Sequence, residues 1–74
     1  MSVLNTADFI ASYVSEYSPI LAARSILLRE IADEVHGVNV RNAVLARLPA
    51  HKRRTLRFLL FVMQSWSVHV LCDM

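Results

Sequence analysis

Three histidines and one cysteine are the residues of this chain most suited to holding a metal ion. His36 and His51 lie far apart in the sequence, whereas His69, Cys72 and Asp73 follow one another at three- and four-residue spacing. That spacing places side chains on one helix face, and imidazole, thiolate and carboxylate groups all bind zinc. We expect this last segment to fray, however, and a metal needs ligands that converge. We therefore predict no metal site and no cofactor.

Three acidic residues close together, Glu30, Asp33 and Glu34, are the candidates for acid–base chemistry. A pair of carboxylates works as acid and base only where a pocket shields one of them from water. These residues occur on the polar face of a predicted helix, so we expect a solvated acidic surface. No serine has a nucleophile-elbow context, and the single glycine excludes a phosphate-binding glycine loop. The sequence thus predicts no catalytic residue and no enzymatic activity.

A basic cluster stands directly before the most apolar part of the chain, in the stretch "LPAHKRRTLRFLLFVM". Its members, which are the candidate residues for binding an acidic partner, are Lys52, Arg53, Arg54 and Arg57. Four basic side chains near a helix N-terminus oppose the helix macrodipole. We therefore expect acidic groups from elsewhere to face this turn.

The charges of the two halves of the chain support this interpretation. Residues 1–40 carry a net charge of −3, from five acidic and two basic residues. Residues 41–74 carry +5, from six basic residues and one acidic residue. This asymmetry favours an acidic partner, although acidic helices lying beside basic ones in a bundle would give the same pattern.

Nucleic acid and membrane are the alternative targets of the basic cluster. A basic run neutralises phosphates, but it lacks interleaved aromatic residues, zinc ligands and a helix-turn-helix pattern, so we do not expect nucleic-acid binding. A membrane span needs about 20 predominantly apolar residues, and the uninterrupted apolar run from Phe58 to Met63 is far too short. A helix lying on a membrane surface remains open, because Trp66 and the basic cluster suit the headgroup region.

The composition indicates an unfilled apolar surface. The chain has 74 residues, of which 55% are hydrophobic, and a domain of this size buries only about 60% of its unfolded surface. The excess would be covered by a partner, including a second copy of the chain, by a missing part of the domain, or by lipid. Phe58, Phe61 and Trp66 are the candidate apolar contact residues. One cysteine and the absence of a signal-peptide pattern at the N-terminus predict a cytoplasmic protein.

Helical periodicity predicts an all-α fold, a small bundle of four helices in one domain that is either whole or a fragment of a larger all-α domain. The predicted helices cover residues 6–17, 19–36, 40–48 and 50–71. Asn5 or Thr6 would cap the first helix, with Asp8 in its first turn. Gly37 would end the second helix in a left-handed conformation, Asn39 would cap the third, and Pro49 would stop it.

Apolar residues at three- and four-residue spacing predict the inner faces. For the first helix these are Phe9, Ile10, Tyr13, Val14 and Tyr17; for the second, Ile20, Ala23, Leu27, Ile31 and Val35; for the fourth, Leu56, Leu59, Leu60, Met63 and Trp66. The fourth helix also carries Phe58, Phe61 and Val62 on its other sides. A helix that is apolar nearly all round is buried on several faces or lies in lipid.

The segment "AVLARLPAHKRRTLRFLLFVMQSW" resembles part of RhoGAP-type domains, in which a Leu-Pro pair ends one helix and a T-L-x-x-L-L core begins the next. With its basic R-R pair it also resembles the divergent RhoGAP-like region of DEP-domain-containing proteins. The matching residues are Leu48, Pro49, Thr55, Leu56, Leu59 and Leu60. The resemblance covers about residues 41–66 and implies an all-α domain that contacts a small GTPase.

Two departures from that family bear on activity. The catalytic arginine of RhoGAP domains belongs to a loop of the type G-x-x-R-x-S-G, whereas Arg24 and Arg29 lie inside a predicted helix here. The family's N-K-M segment has only Cys72-Asp73-Met74 as its counterpart. The resemblance therefore implies a non-catalytic interaction module for a small GTPase or another acidic partner. The alternative is a small structural subunit of a large, membrane-associated complex.

Overall fold

The computed structural model of the chain describes residues 2–73, with side chains described for residues 2–66. Within that part there are four helices and no strand: α1 (Val3–Glu16), α2 (Pro19–Ala32), α3 (Glu34–Ala46) and α4 (Ala50–Asp73). The predicted all-α class and the small four-helix bundle are confirmed. α3 packs against both α1 and α2, and α4 packs mainly against α2.

The first helix begins earlier than predicted because Ser2 caps it. The Ser2 hydroxyl accepts a hydrogen bond from the Asn5 backbone N–H at 3.2 Å, which satisfies one of the free donors of the first turn. The predicted cap at Asn5 or Thr6 is wrong, since both residues lie inside the helix. Asp8 lies beyond the first turn and pairs with Arg47 at the end of α3.

The second helix ends at Ala32 rather than at residue 36, because Asp33 caps the next helix. Asp33 has an extended backbone, and its Oδ1 accepts from the His36 backbone N–H at 3.1 Å. A side chain that bonds the backbone locally favours a helix start over a helix interior. α3 therefore begins at Glu34, and the predicted cap at Asn39 is wrong. The predicted start of α4 after Pro49 is confirmed.

The buried core is built largely from small and β-branched residues. Its members are Ala7, Ile10, Ala11, Val14, Ala22, Ala23, Ile26, Val40, Val44, Leu45, Leu48, Leu56 and Leu60. The predicted inner faces are partly wrong, because Phe9, Tyr17, Ile20, Ile31, Val35 and Trp66 are exposed. Four alanines of α1 and α2 belong to the core instead, and its largest fully buried side chains are aliphatic.

Gly37 has a packing role instead of the predicted role in ending a helix. It lies inside α3, and no glycine in the described residues has a positive φ. A Cβ atom at this position would lie 2.4 Å from the Glu30 Cα and 2.6 Å from the Glu30 N, far inside van der Waals contact. Gly37 thus allows the backbones of α2 and α3 to touch.

One turn further along α3, Arg41 joins the same residue of α2 through a bidentate ion pair. Its Nη2 donates to the Glu30 Oε2 at 2.7 Å, and its Nε donates to Oε1. Both side chains are largely shielded from solvent. A two-point, charge-assisted contact of this kind fixes the relative orientation of the two helices.

Replacing Gly37 with alanine should destabilise the protein by about 1–3 kcal/mol, the usual range for overpacking. The sign of this stability change is informative, because replacing glycine with alanine at an exposed helix position stabilises a protein by about 1 kcal/mol. Chemical denaturation would measure the change, with the exposed Asn39→Ala in the same helix as control. Equal stability of Gly37→Ala and the wild type would contradict the close helix contact.

The Asp33 cap should make stability depend on pH in the acid range. Hydrogen bonds from the side chain and backbone of His36 lower the pKa of the Asp33 carboxyl below its usual value. A lowered folded-state pKa stabilises the fold above the unfolded pKa of about 4, and this contribution is lost as the pH falls through the folded value. Thermal melts from pH 7 to pH 2 should therefore show a smaller acid-induced loss in Asp33→Asn than in the wild type.

Candidate functional site

The most unusual surface of the molecule is the outer face of α4. Phe58, Phe61, Val62 and Trp66, which we call the α4 stripe, are 65%, 72%, 43% and 68% exposed. Their three- and four-residue spacing places them on one side of the helix. The opposite side is buried through Leu56 and Leu60, so α4 up to residue 66 is apolar on two faces, of which one is buried and the other exposed.

The residues predicted as apolar contacts, Phe58, Phe61 and Trp66, all belong to the α4 stripe. Aromatic residues are among the residue types most often central to protein interfaces. Sequence analysis did not assign Val62 to this surface, although its spacing from Phe58 places it there.

Two of the four predicted basic binding residues have structural roles. Arg53 donates from Nε to the Leu45 carbonyl at 3.1 Å and from Nη2 to the Leu48 carbonyl at 3.0 Å, at the C-terminal end of α3. Lys52 Nζ donates to the carbonyl of Ser15, in the last turn of α1, at 3.4 Å. The final carbonyls of a helix lack intrahelical donors and carry the negative end of its dipole.

The crowding of positive charge at the start of α4 is thereby explained. The expectation that acidic groups face this turn is wrong for Lys52 and Arg53, which donate to carbonyls at the C-terminal ends of α1 and α3 and not to acidic side chains. In α3 the same end also receives Arg47, whose Nη1 donates to the Ala43 carbonyl at 2.8 Å. The first turn of α4 therefore serves as the closing cap of two neighbouring helices.

Arg54 and Arg57 are the basic residues of the cluster that remain available. Both are exposed, and neither makes a hydrogen bond or ion pair within the described residues. Arg54 precedes Phe58 by four residues, and Arg57 precedes Phe61 by four, so both extend the α4 stripe toward its N-terminal end. No acidic residue occurs in α4 before Asp73, and this end of the surface is uniformly positive.

A shallow groove between α3 and α4 adjoins the stripe on the side of Arg57. It has a volume of about 300 Å³ and is lined by Asn42, Leu45, Ala46, Arg53 and Arg57. Sequence analysis did not identify the three residues from α3, because nothing in their spacing shows which helix lies beside them. The groove offers an amide and a guanidinium next to apolar walls, a combination that suits an acidic side chain.

The acidic residues proposed for acid–base chemistry are not assembled into a catalytic pair. Glu30 is held by Arg41 in the α2–α3 contact, Asp33 caps α3, and Glu34 is exposed in the first turn of α3. The expected solvated surface is thus wrong for Glu30, whose side chain is only 17% exposed.

Metal binding and membrane crossing were also considered. Among the side chains that the structure describes, no three metal-ligating residues come together, and those of His69, Cys72 and Asp73 lie outside that set. In the described part of the chain, none of the helices combines the length and the apolar character that crossing a bilayer requires.

Replacing Arg53 should lower the free energy of unfolding, whereas replacing the neighbouring Arg54 should leave it unchanged. Arg53→Ala removes two hydrogen bonds from a charged donor to helix-terminal carbonyls and should cost about 1–2 kcal/mol. Arg54→Ala is the matched control, since Arg54 is exposed without a partner among the described residues. Denaturant unfolding of both variants measures the difference, and similar losses would contradict the capping role of Arg53.

Comparison with family models, with curated proteins and with solved structures gives no match for this chain. The resemblance to RhoGAP-like domains therefore stays a prediction.

Proposed function

We propose that this chain is a non-catalytic, cytoplasmic protein–protein interaction module that binds an acidic partner through the α4 stripe together with Arg54 and Arg57. The observation that carries the proposal is the exposure of Phe58, Phe61 and Trp66 along one face of a helix whose opposite face is packed. Contiguous exposed apolar residues beside polar groups are typical of interaction sites.

The energetics favour a partner of moderate affinity. Burial of one large apolar side chain contributes about 1.5–3 kcal/mol, while association costs about 4–15 kcal/mol in lost freedom. Four such residues contribute about 6–12 kcal/mol, which is of the same size as that cost, so stable binding also requires contacts around the stripe. Arg54 and Arg57 would mainly accelerate encounter with an acidic surface and select against basic partners.

A small GTPase is the partner class that the RhoGAP-like segment suggests, and Arg54 and Arg57 would face its acidic residues. The position of the remaining arginines supports a module without GTPase-activating function. Arg24 and Arg29 both lie within α2, whereas an arginine that stabilises phosphoryl transfer must reach into another protein's site.

A structural subunit of a large, membrane-associated assembly is the second candidate. It is supported by a further set of exposed apolar residues on α2, away from the α4 stripe: Ile20, Leu21, Leu28 and Ile31. In a subunit surrounded by several neighbours, the exposed apolar residues of both α2 and α4 would be covered. A module with one partner needs only the α4 stripe.

Binding of purified small GTPases loaded with a GTP analogue tests the first proposal. Phe61→Ser should weaken binding at least about tenfold, the effect of losing an interface hot spot, and Arg57→Glu should weaken it most at low salt. The matched controls are Phe9→Ser, an exposed aromatic on α1, and Arg24→Glu, an exposed arginine on α2.

The outcomes separate the candidates. Equal binding by Phe61→Ser and Phe9→Ser would contradict the α4 stripe as the binding surface. If both Phe61→Ser and Leu28→Ser disrupt one assembly, the structural-subunit proposal is favoured. Self-association in a sedimentation experiment that Phe61→Ser abolishes would identify a second copy as the partner.

A further inference from the structure

The outer side of α1 carries a second aromatic surface. Phe9 and Tyr17 are 60% and 74% exposed, and Tyr13 lies between them, partly buried against the core. The rings of Phe9 and Tyr13 meet edge to face with their centroids 5.0 Å apart, and those of Tyr13 and Tyr17 are tilted at 5.5 Å. Because the three rings already contact one another, a partner that covers them immobilises few additional side chains. We call these residues, together with Glu16, the α1 face.

The α1 face is negatively charged. Of the four described helices, α1 is the one whose charged residues are all acidic, namely Asp8 and Glu16. Asp8 is paired with Arg47, whereas Glu16 is exposed and makes no ion pair within the described residues. Glu16 follows Tyr13 by three residues, which places its carboxylate beside the aromatic row. It also ends α1, where the helix dipole adds negative potential.

The α4 stripe has the opposite charge and the same aromatic character. Arg54 and Arg57 lie at its N-terminal end, whereas Glu16 lies at the C-terminal end of the aromatic row of α1. An antiparallel arrangement of the two helices therefore brings Arg57 to Glu16 and aligns the two rows of aromatic rings. Within one molecule α1 and α4 share little contact, so this pairing takes two copies of the chain.

Other exposed apolar surfaces fit the α4 stripe less well. The apolar residues Leu21 and Leu28 of α2 flank the exposed Arg24, which has the same sign of charge as the stripe. A second α4 stripe is basic too, with no acidic residue in α4 before Asp73. Like charges across an interface disfavour association. α3 contains no phenylalanine, tyrosine or tryptophan, so the α1 face is the described surface that matches in both charge and aromatic content.

We propose that the α1 face of one copy of this chain binds the α4 stripe of a second copy. The inference rests on the proposed function, because it assigns an acidic partner to the same stripe. Since the two surfaces are different, the contact is head-to-tail, and successive copies either form an open series or close into a ring. A different protein that binds the α4 stripe competes with this contact, so self-assembly covers the stripe until such a partner displaces the second copy.

The size of the two surfaces predicts weak association. An aromatic side chain buries about 150–250 Å². Five aromatic residues that are each about two-thirds exposed therefore supply about 500–850 Å². Stable interfaces bury about 1,200–2,000 Å² in total, so this contact lies at the low end even when neighbouring residues contribute. We expect monomers in dilute solution and assembly at high protein concentration. The five residues are Phe9, Tyr17, Phe58, Phe61 and Trp66.

Sedimentation velocity of the full chain over a range of concentrations tests the proposal. The sedimentation coefficient should rise with protein concentration, and added salt should reduce the rise because it screens the exposed charges. Phe61→Ser and Glu16→Arg should each weaken association at least about tenfold, the effect of losing an interface hot spot. Glu34→Arg, which makes the same charge change at an exposed position of α3, is the matched control. A wild type that stays monomeric at all concentrations would overturn the proposal.

A mixture of the two variants tests the head-to-tail arrangement. Glu16→Arg keeps an intact α4 stripe, and Phe61→Ser keeps an intact α1 face. Neither variant should assemble alone, whereas their mixture should form a one-to-one complex that stops at the dimer, because each copy retains one working surface. Assembly of Glu16→Arg alone at wild-type strength would show that two α4 stripes bind each other and would overturn the proposal, as would a mixture that forms no complex.

The small-GTPase binding assay separates this inference from the proposed function. Glu16 lies outside the α4 stripe, so Glu16→Arg should bind a partner of the stripe at least as tightly as the wild type. If the wild type never self-associates while Phe61→Ser weakens partner binding, the inference fails and the proposed function stands. If the predicted assembly occurs and no small GTPase binds, the inference stands and the small GTPase is excluded as the partner.

Discussion

The contact between α2 and α3 at Gly37 governs how the rest of the chain can pack. The two backbones meet where any side chain on Gly37 would collide with Glu30, and the Glu30–Arg41 ion pair holds the crossing one turn away. Because only Asp33 separates these helices, the connection between them has few alternative conformations. Core residues between helices this close must be small, which is why alanines fill so much of the interior of α1 and α2.

The composition of the core determines which residues lie at the surface. Among the described residues the buried core contains no aromatic side chain. On α1, Phe9 and Tyr17 are exposed, while Tyr13 is partly buried against the core and makes an edge-to-face contact with Phe9 and a tilted ring contact with Tyr17. On α4 the aromatic residues of the stripe are exposed in the same way.

The sequence predicted the helical class and the start of α4, because Pro49 ends a helix by local sterics alone. It could not locate the boundary at Asp33, since apolar residues at Ile31 and Val35 continue the helical period across it. The roles of Lys52 and Arg53 were also beyond reach, because their partners are backbone carbonyls at the ends of other helices, which carry no residue-type signal. An excess of apolar residues followed from composition, but the exposure of Phe58, Phe61 and Trp66 and the alignment of Phe58 and Phe61 with Arg54 and Arg57 needed the helix itself.

Trp66 is the single tryptophan of the chain, and its place on the stripe gives the molecule a built-in optical reporter. An indole that is 68% exposed in the folded chain already meets water. A molecule that covers this face of α4 would exclude solvent from the ring and move the emission to shorter wavelengths. The fluorescence of this protein therefore reports directly on occupancy of one helix face.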